Sequence, residues 1–416
     1  MFKTKVSPVE RSDRIVSIDV LRGIAVLGIL IMNIQSFSMP MAAYINPAAY
    51  GDLTGINKWV WIISHILASE KFMSLFSLLF GAGIMIFTEN AELKGKNDAS
   101  LHYRRMGWLL LFGLAHGYLI WYGDILITYS LCGMLLYVFR KMPPEKLIKA
   151  ALGFFMVPVV LDLIFGLSIS FWPDEAVQNL LQSWKPDEST LHHYIEGYRA
   201  GWLGQMEVRI PGTIFMQTGR FMMHTFWRAM AMMLLGMALY RWKVLGAELS
   251  GSFYAKISLI GLLTGYGLSI LGVVLNFKNQ WSVEFSMFIG SQFNYIGSVG
   301  VALGYTGIVM LICKSVRMVR FRSLFSSVGR MAFTNYIIQT VICTLIFYGH
   351  GMGLYGMVER KIQLLIVPGV WIIVMIISPL WLRVFRFGPL EWLWRSLTYG
   401  ERQPFLNSRS FQRETA

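Results

Sequence analysis

Charged residues are scarce in this chain of 416 residues. Asp, Glu, Lys and Arg make up 14% of it, against about a quarter of an ordinary soluble domain. Hydrophobic residues account for 55%, and the mean hydropathy is +0.53. These values exclude a soluble globular domain and predict a protein of the lipid bilayer. The formal net charge of +14 therefore predicts basic cytoplasmic loops rather than a nucleic-acid partner.

Cysteine is also scarce, and the motifs of several enzyme classes are missing. The three cysteines lie in or beside apolar segments, so they form neither a disulfide framework nor a CxxC metal pattern. No HExxH, GxSxG, Walker or Rossmann pattern occurs in a suitable context. We therefore expect no metal and no separate soluble module. All chemistry must belong to one membrane domain that spans residues 1–416.

Long apolar segments are abundant, and about 20 residues are needed for each crossing of a bilayer. Ten segments qualify: 15–37, 60–88, 107–122, 124–139, 149–172, 212–240, 257–276, 286–313, 328–349 and 361–382. They predict an all-α polytopic bundle of about ten transmembrane helices. The second segment is long enough to break near Ser69-Glu70-Lys71. The third and fourth are joined by a tight turn at 121–124 and predict a helical hairpin.

Every second loop is basic, which predicts the orientation of the chain. The longest loop, 173–209, is mostly acidic, and residues 38–57 contain no Lys or Arg. Under the positive-inside rule, the tails 1–14 and 383–416 are cytoplasmic and loop 173–209 is external. The first segment resembles a signal peptide, but its polar residues favour retention in the mature protein. The expected location is the inner membrane.

A polar stripe marks the first apolar segment. Arg22 and Asn33 are eleven residues apart, about three helical turns, so they share one face roughly 16 Å apart along the axis. Asp19 precedes Arg22 by one turn on the same face. Charges on a membrane helix are costly and indicate a functional site.

The sixth segment has the densest charge. Arg220, His224 and Arg228 are spaced four residues apart on nearly one helical face. Three donors in such a row favour a phosphate or carboxylate ligand. Two structural alternatives remain open: an internal salt-bridge ladder with Asp162 as a counter-ion, or Arg220 extending toward the membrane interface.

Two further histidines could act as general bases. His65 lies in the second segment, and His116 lies between glycines in the third. The alternative for each is an ordinary packed core histidine. Asp124, which opens the fourth segment, could cap that helix or orient His116. The second role requires the hairpin to fold back, because eight helical residues span about 12 Å.

Several runs resemble the bacterial YeiB family of multi-spanning proteins. They are Ser17 to Ala25 followed by Asn33, Lys71 to Gly81, Phe112 to Leu126 (FGLAHGYLIWYGDIL), Gly329 to Tyr336, and Gly388 to Gly400. The resemblance covers almost the whole chain in order. More distantly, the opening segment is similar to membrane acyltransferases, including heparan-glucosaminide acetyltransferase and bacterial polysaccharide O-acyltransferases. Arg22 matches the arginine of the O-acyltransferases, whereas Asn33 stands where they have a catalytic histidine.

That resemblance implies a helical bundle in which a cytoplasmic acyl-CoA donates its acyl group to an acceptor across the membrane. In this hypothesis Arg22, Arg220 and Arg228 hold the donor. Asn33 stabilises the developing oxyanion, and His65 or His116 deprotonates the acceptor. The alternative is a transporter or binding protein for a small anion or lipid headgroup. Expected partners are the bilayer and an acyl-CoA or lipid ligand, with a homodimer as the candidate assembly.

Overall fold

The structure is a computed structural model that describes residues 14–407, and helices build it almost entirely. The α-helices are α1 (Val16–Gly28), α2 (Leu30–Ser38), α3 (Met41–Ile45), α4 (Gly55–Ala68), α5 (Lys71–Leu93), α6 (Asp98–Leu119), α7 (Leu126–Leu136), α8 (Pro144–Ser168), α9 (Asp174–Trp184), α10 (Glu188–Arg199), α11 (Met206–Gln217), α12 (Phe226–Arg241), α13 (Gly251–Lys278), α14 (Val283–Phe285), α15 (Ser291–Lys314), α16 (Val319–Arg330), α17 (Ala332–Phe347), α18 (Arg360–Val384) and α19 (Pro389–Tyr399). Within the described range the β-structure is one isolated bridge between Phe385 and Leu406. The predicted all-α class is confirmed.

Six helical stretches in the described part of the chain are long and apolar enough to cross a membrane. They are Val16–Ser38, Gly55–Leu93, Pro144–Phe171, Gly251–Lys278, Val283–Lys314 and Arg360–Val384. A seventh crossing is obtained if Val316–Arg330 and Ala332–Phe347, which meet at 77°, form one broken span. The chain is therefore a multi-pass membrane protein. Three of the ten predicted segments correspond to α6, α7 and α12. These helices are too short or too polar to be counted among the six stretches. The predicted total of ten stays a prediction.

The second span breaks where the sequence predicts. Helix α4 ends at Ala68 and α5 begins at Lys71. Between them Glu70 adopts the left-handed conformation with φ of 64°, which is uncommon for a residue with a Cβ atom. Two π-helical turns, Phe221–Thr225 and Ser286–Gly290, interrupt other helices. Such irregularities often occur at functional positions.

Glycine allows α5 and α12 to pack in close contact. A Cβ atom added at Gly81 would lie 2.0 Å from the Met233 carbonyl oxygen, and one at Gly236 would lie 1.9 Å from that of Leu78. Small residues serve this purpose in membrane bundles, where lipid provides no hydrophobic force between helices. Gly83, two residues along α5, has nothing within 4 Å of its added Cβ and faces open space.

The loops gather at two ends of the bundle. At the first, which we call the basic end, Arg241 donates to the carbonyl oxygens of Arg140 and Met142, and Lys314 donates to that of Ala247. At the other, which we call the acidic end, the loop after α2 and the 173–209 region meet. There Asn46 donates to the Trp184 carbonyl. This grouping of basic loops is what the positive-inside rule predicts. Residues 1–13 and 408–416 of the two predicted tails lie outside the described residues.

Cysteine labelling tests which end faces the cytoplasm. Lys141 at the basic end and Gln182 in α9 are both exposed. We expect an impermeant maleimide to modify Gln182→Cys in intact cells, and Lys141→Cys only after permeabilisation. The parent chain is the control, since Cys132 and Cys343 are buried and Cys313 is half-buried. If intact cells label Lys141→Cys but not Gln182→Cys, the basic end faces outward and the predicted orientation is wrong.

Candidate active site

A cavity of about 270 Å³ opens at the basic end. Its walls come from α1, α5, α6, α7, the end of α16, the start of α17, and α19. Basic side chains surround the part nearest the loops, and Phe76, Leu79 and Phe80 of α5 make the deeper wall apolar. Tyr129 and Tyr336 lie at the deep end. The cavity therefore combines a cationic entrance with an apolar interior.

Six basic side chains line this cavity against two carboxylates. The basic residues are Arg14, Arg22, Lys94, Arg105, Arg330 and Arg395. Asp19 pairs with Arg22 at 3.0 Å and with Arg14 at 3.7 Å. Glu391 accepts hydrogen bonds from the backbone N–H groups of Phe333 and Thr334, at 2.7 and 3.0 Å, at the start of α17. Both carboxylates are thus engaged, and the cavity keeps an excess of positive charge.

Two of these guanidinium groups make no hydrogen bond or salt bridge with a residue among 14–407. Arg105 lies 4.5 Å from the ring centres of both Phe87 and Trp394, and Arg395 lies 4.8 Å from that of Phe387. Stacking holds them in place, while their N–H donors bind no described residue. Burial, with repulsion from Arg14, lowers the pKa of Arg395 to about 10. An anion would satisfy these donors and relieve the repulsion.

His116 lies just behind the deep end. Its Nδ1 atom is 2.7 Å from Oδ1 of Asp124, and both side chains are almost fully buried. The other oxygen of Asp124 accepts from the backbone N–H of Ile127 at 2.8 Å, so this residue both caps the hairpin helix and orients the histidine. The Nε2 atom of His116 is 3.2 Å from the Thr340 hydroxyl. Tyr336, at 5.1 Å between ring centres, separates the imidazole from the cavity.

The other candidates from the first two segments lie elsewhere. Asp19 and Arg22 line the cavity, but Asn33 and His65 do not. Asn33 is half-buried on α2, about three turns beyond Arg22. His65 is half-buried on α4 and stacks on Trp61, with ring centres 4.7 Å apart. The structure therefore brings His116, rather than His65, next to the cavity that contains Arg22.

Arg220, His224 and Arg228 belong to a different group of polar residues, and none of them lines the cavity. Arg228 is fully buried and lies 3.3 Å from Glu70, with further hydrogen bonds to Ser74 and the Tyr295 carbonyl. His224 lies 3.8 Å from the same carboxylate. This geometry favours the internal-pairing alternative for Arg228. Its partner is Glu70, which the sequence did not indicate.

Arg220 is half-buried, and its guanidinium donates no hydrogen bond to a residue that the structure describes. Asp162, the counter-ion suggested by the sequence, interacts electrostatically with Arg220 and accepts a hydrogen bond from the Gln292 amide at 2.5 Å. Across the described range there is no group of three or more His, Cys, Asp or Glu side chains arranged to hold a metal ion.

Sequence reasoning missed Arg105, Arg395 and Tyr336. Arg105 precedes the third apolar segment and reads as an ordinary basic flank. Arg395 lies in the C-terminal helix α19, which is too polar to suggest a membrane site. The signals were the Gly388 to Gly400 run for Arg395 and the Gly329 to Tyr336 run for Tyr336, which support the resemblance but assign no role.

Comparisons with known proteins agree on one family. Residues 239–401 match a family described as "Protein of unknown function (DUF418)". The chain is 31% identical over 408 residues to "Uncharacterized protein YeiB" of Escherichia coli, covering 96% of this chain and 100% of that protein. It is 34% identical over 420 residues to "Uncharacterized protein YxaH" of Bacillus subtilis, covering 96% and 98%. No solved structure matches this chain.

Proposed function

The chain belongs to the YeiB family, and we propose that it transfers an acyl group from a coenzyme A thioester to an acceptor across the membrane. In this proposal the donor binds from the cytoplasm in the cavity at the basic end. The acceptor, a hydroxyl or an amine, approaches His116 from the acidic end. Asp19 and Arg22 are part of the donor site, together with Arg105 and Arg395.

One observation carries the proposal: a cationic cavity, with two guanidinium groups that make no hydrogen bond to a described residue, ends at Tyr336 directly in front of a buried His–Asp pair. Coenzyme A has its phosphates at one end and its thioester at the end of a flexible, largely uncharged arm. Guanidinium groups suit phosphates because of their planar, two-pronged geometry. The apolar wall then accommodates the arm, and the thioester points toward Tyr336 and His116.

The proposed reaction uses His116 as the general base. Asp124 accepts a hydrogen bond from the Nδ1–H group, which keeps that proton on Nδ1 and leaves the Nε2 lone pair to take a proton. The Thr340 hydroxyl, 3.2 Å from Nε2, occupies the kind of position that an acceptor hydroxyl would take. The acceptor oxygen attacks the thioester carbonyl while its proton moves to Nε2. The C–S bond then breaks, and the thiolate receives that proton from the imidazole.

A transporter for a small anion or lipid headgroup is the second candidate. The break at Glu70 and the π-helical turn at 221–225 place irregular backbone beside buried Arg228 and Lys71. Broken helices around intramembrane charges are typical of transporter binding sites. The two functions differ in their product: a transferase releases free thiol from acetyl-CoA, whereas a transporter moves its ligand without cleaving it.

Filling the cavity tests the proposed donor site. Leucine at Gly83 should project from α5 into the open cavity without a clash, because nothing lies within 4 Å of the added Cβ atom. We expect Gly83→Leu to weaken binding of coenzyme A at least about tenfold, a loss of roughly 1.4 kcal/mol. The measurement is calorimetric titration of the purified protein, alongside its thermal unfolding.

Gly107→Leu is the matched control. Gly107 also has nothing within 4 Å of its added Cβ but does not line the cavity. Leucine there should leave the affinity for coenzyme A unchanged, and both variants should unfold near the wild-type temperature, because leucine favours helix over glycine. Wild-type affinity in Gly83→Leu would place the coenzyme A site elsewhere.

A further inference from the structure

Tyr336 is the residue of the cavity wall that contacts the imidazole of His116. It lies in the first two turns of α17, lines the deep end of the cavity and is 6% exposed. Its ring centre is 5.1 Å from that of His116. A thioester that reached His116 through the cavity would therefore have its carbonyl group beside this side chain.

The Tyr336 hydroxyl donates no hydrogen bond to a residue in the described range. Its oxygen interacts with the backbone of Ile125, which leaves the phenol proton free to be donated. Tyr129, the other tyrosine at the deep end, has its hydroxyl 2.7 Å from that of Ser77. A buried hydroxyl that donates no hydrogen bond is destabilising, so most proteins satisfy such groups. One that lines a cavity is available to a ligand.

The surrounding structure holds Tyr336 in position. The residues just before it in α17, Phe333 and Thr334, are fixed through their N–H groups by the Glu391 carboxylate. The neighbouring Asn335 amide donates to the Val328 carbonyl and to Ser378, both at 2.9 Å. A donor that is already fixed needs no reorganisation when charge develops next to it, which is the condition for effective oxyanion stabilisation.

We infer that the Tyr336 hydroxyl stabilises the oxyanion formed when the acceptor attacks the thioester carbonyl, an inference that rests on the proposed acyl transfer. Attack moves the carbonyl π electrons onto oxygen, and the phenol O–H donates a hydrogen bond to it without giving up its proton. When the oxyanion collapses, the C=O bond forms again, the C–S bond breaks and the thiolate leaves with the proton from His116. Tyr336 thus takes the role that the sequence analysis proposed for Asn33, which does not line the cavity.

Tyr336→Phe removes the hydroxyl and keeps the ring. We expect kcat for thiol release from acetyl-CoA to fall about 10²- to 10³-fold, the usual effect of losing one oxyanion donor. The affinity for coenzyme A should stay at the wild-type value, because the phosphates bind at the other end of the cavity. If Tyr336 had only a structural role, the substitution would lower the stability of the protein and would not reduce kcat while leaving coenzyme A affinity unchanged. The measurements are thiol release with water as the acceptor and calorimetric titration of coenzyme A, both on the full chain.

Tyr348→Phe is the matched control. Its hydroxyl is also buried and donates no hydrogen bond to a residue in the described range, but it does not line the cavity. This variant should keep the wild-type kcat. Wild-type kcat in Tyr336→Phe, or an equal loss in both variants, would overturn the inference. If Tyr336→Phe is active while His116→Gln is not, the proposed function survives without it. If the wild-type protein releases no thiol, both fail.

Discussion

Replacing His116 with glutamine should reduce thiol release from acetyl-CoA by about 10²- to 10⁴-fold, the usual contribution of a general base. Glutamine is similar in size and still donates to Asp124, but it offers no basic nitrogen in place of Nε2. Binding of coenzyme A should not change, because the imidazole lies behind Tyr336 and outside the cavity wall. The measurement is kcat for thiol release, compared with calorimetric affinity for coenzyme A.

The same substitution at His65 separates the two histidines that the sequence proposed. His65 is half-buried, stacks on Trp61 and lies outside the cavity wall. His65→Gln should therefore keep thiol release. Loss of activity in His65→Gln with normal activity in His116→Gln would move the base to α4. Wild-type thiol release in both variants would show that neither histidine acts as the general base.

The second large effect concerns Arg105 and Arg395, whose guanidinium groups make no hydrogen bond with a described residue. A charge-assisted hydrogen bond contributes about 1.5–3 kcal/mol, so we expect Arg105→Ala with Arg395→Ala to weaken coenzyme A binding on the order of 10²- to 10⁴-fold. Folding should change little, since neither guanidinium makes a hydrogen bond with a described residue. The double variant loses only the stacking of Arg105 on Phe87 and Trp394 and of Arg395 on Phe387. Lysine at both positions should recover part of the affinity, because it keeps the charge but not the planar geometry.

Arg104 provides the control for that double variant. It precedes Arg105 in α6 but is exposed and does not line the cavity. Arg104→Ala should leave the affinity unchanged at physiological salt, where exposed charges are largely screened beyond about 8 Å. If Arg104→Ala weakens coenzyme A binding as much as Arg105→Ala or Arg395→Ala does alone, the basic end attracts anions in general and contains no specific coenzyme A site.

Much of the fold follows from local properties of the sequence. Apolar length and periodicity predict helices throughout, and the polar interruption at Ser69-Glu70-Lys71 predicts the break between α4 and α5. Alternating loop charge agrees with the gathering of basic loops at one end. The number of crossings is harder to predict, because α7 and α12 are largely buried but short, whereas α6 is long but less apolar and only partly buried. Tertiary contacts decide their placement.

The candidate site was predictable where a costly residue interrupts an apolar run. Asp19, Arg22 and His116 stand out for this reason, and the structure places them in or beside the cavity. The His116–Asp124 hydrogen bond was not predictable from spacing. Along one helix the two residues would lie about 12 Å apart, but the chain reverses at the end of α6 and brings the side chains to 2.7 Å.

The remaining site residues depend on contacts between distant parts of the chain. Arg105 and Arg395 meet across the cavity only because α19 packs against α6, where the Trp394 indole donates to the Arg105 carbonyl. Tyr336 reaches His116 only because the chain bends by 77° before α17. The shared helical face of Arg22 and Asn33 predicted that both residues belong to one site. The structure places only Arg22 there, because the part of the cavity wall formed by α1 ends at that residue. Periodicity gives the face of a helix but not the depth of a cavity beside it.

Native mass spectrometry of the purified chain with acetyl-CoA tests the central claim most directly, because it detects the donor whatever the acceptor is. The account predicts one equivalent of acetyl-CoA bound to the wild-type protein and to Arg104→Ala, and none to the Arg105→Ala and Arg395→Ala double variant at the same concentration. Absence of any adduct on the wild-type protein, or equal binding to all three proteins, would contradict a donor site in the cavity at the basic end.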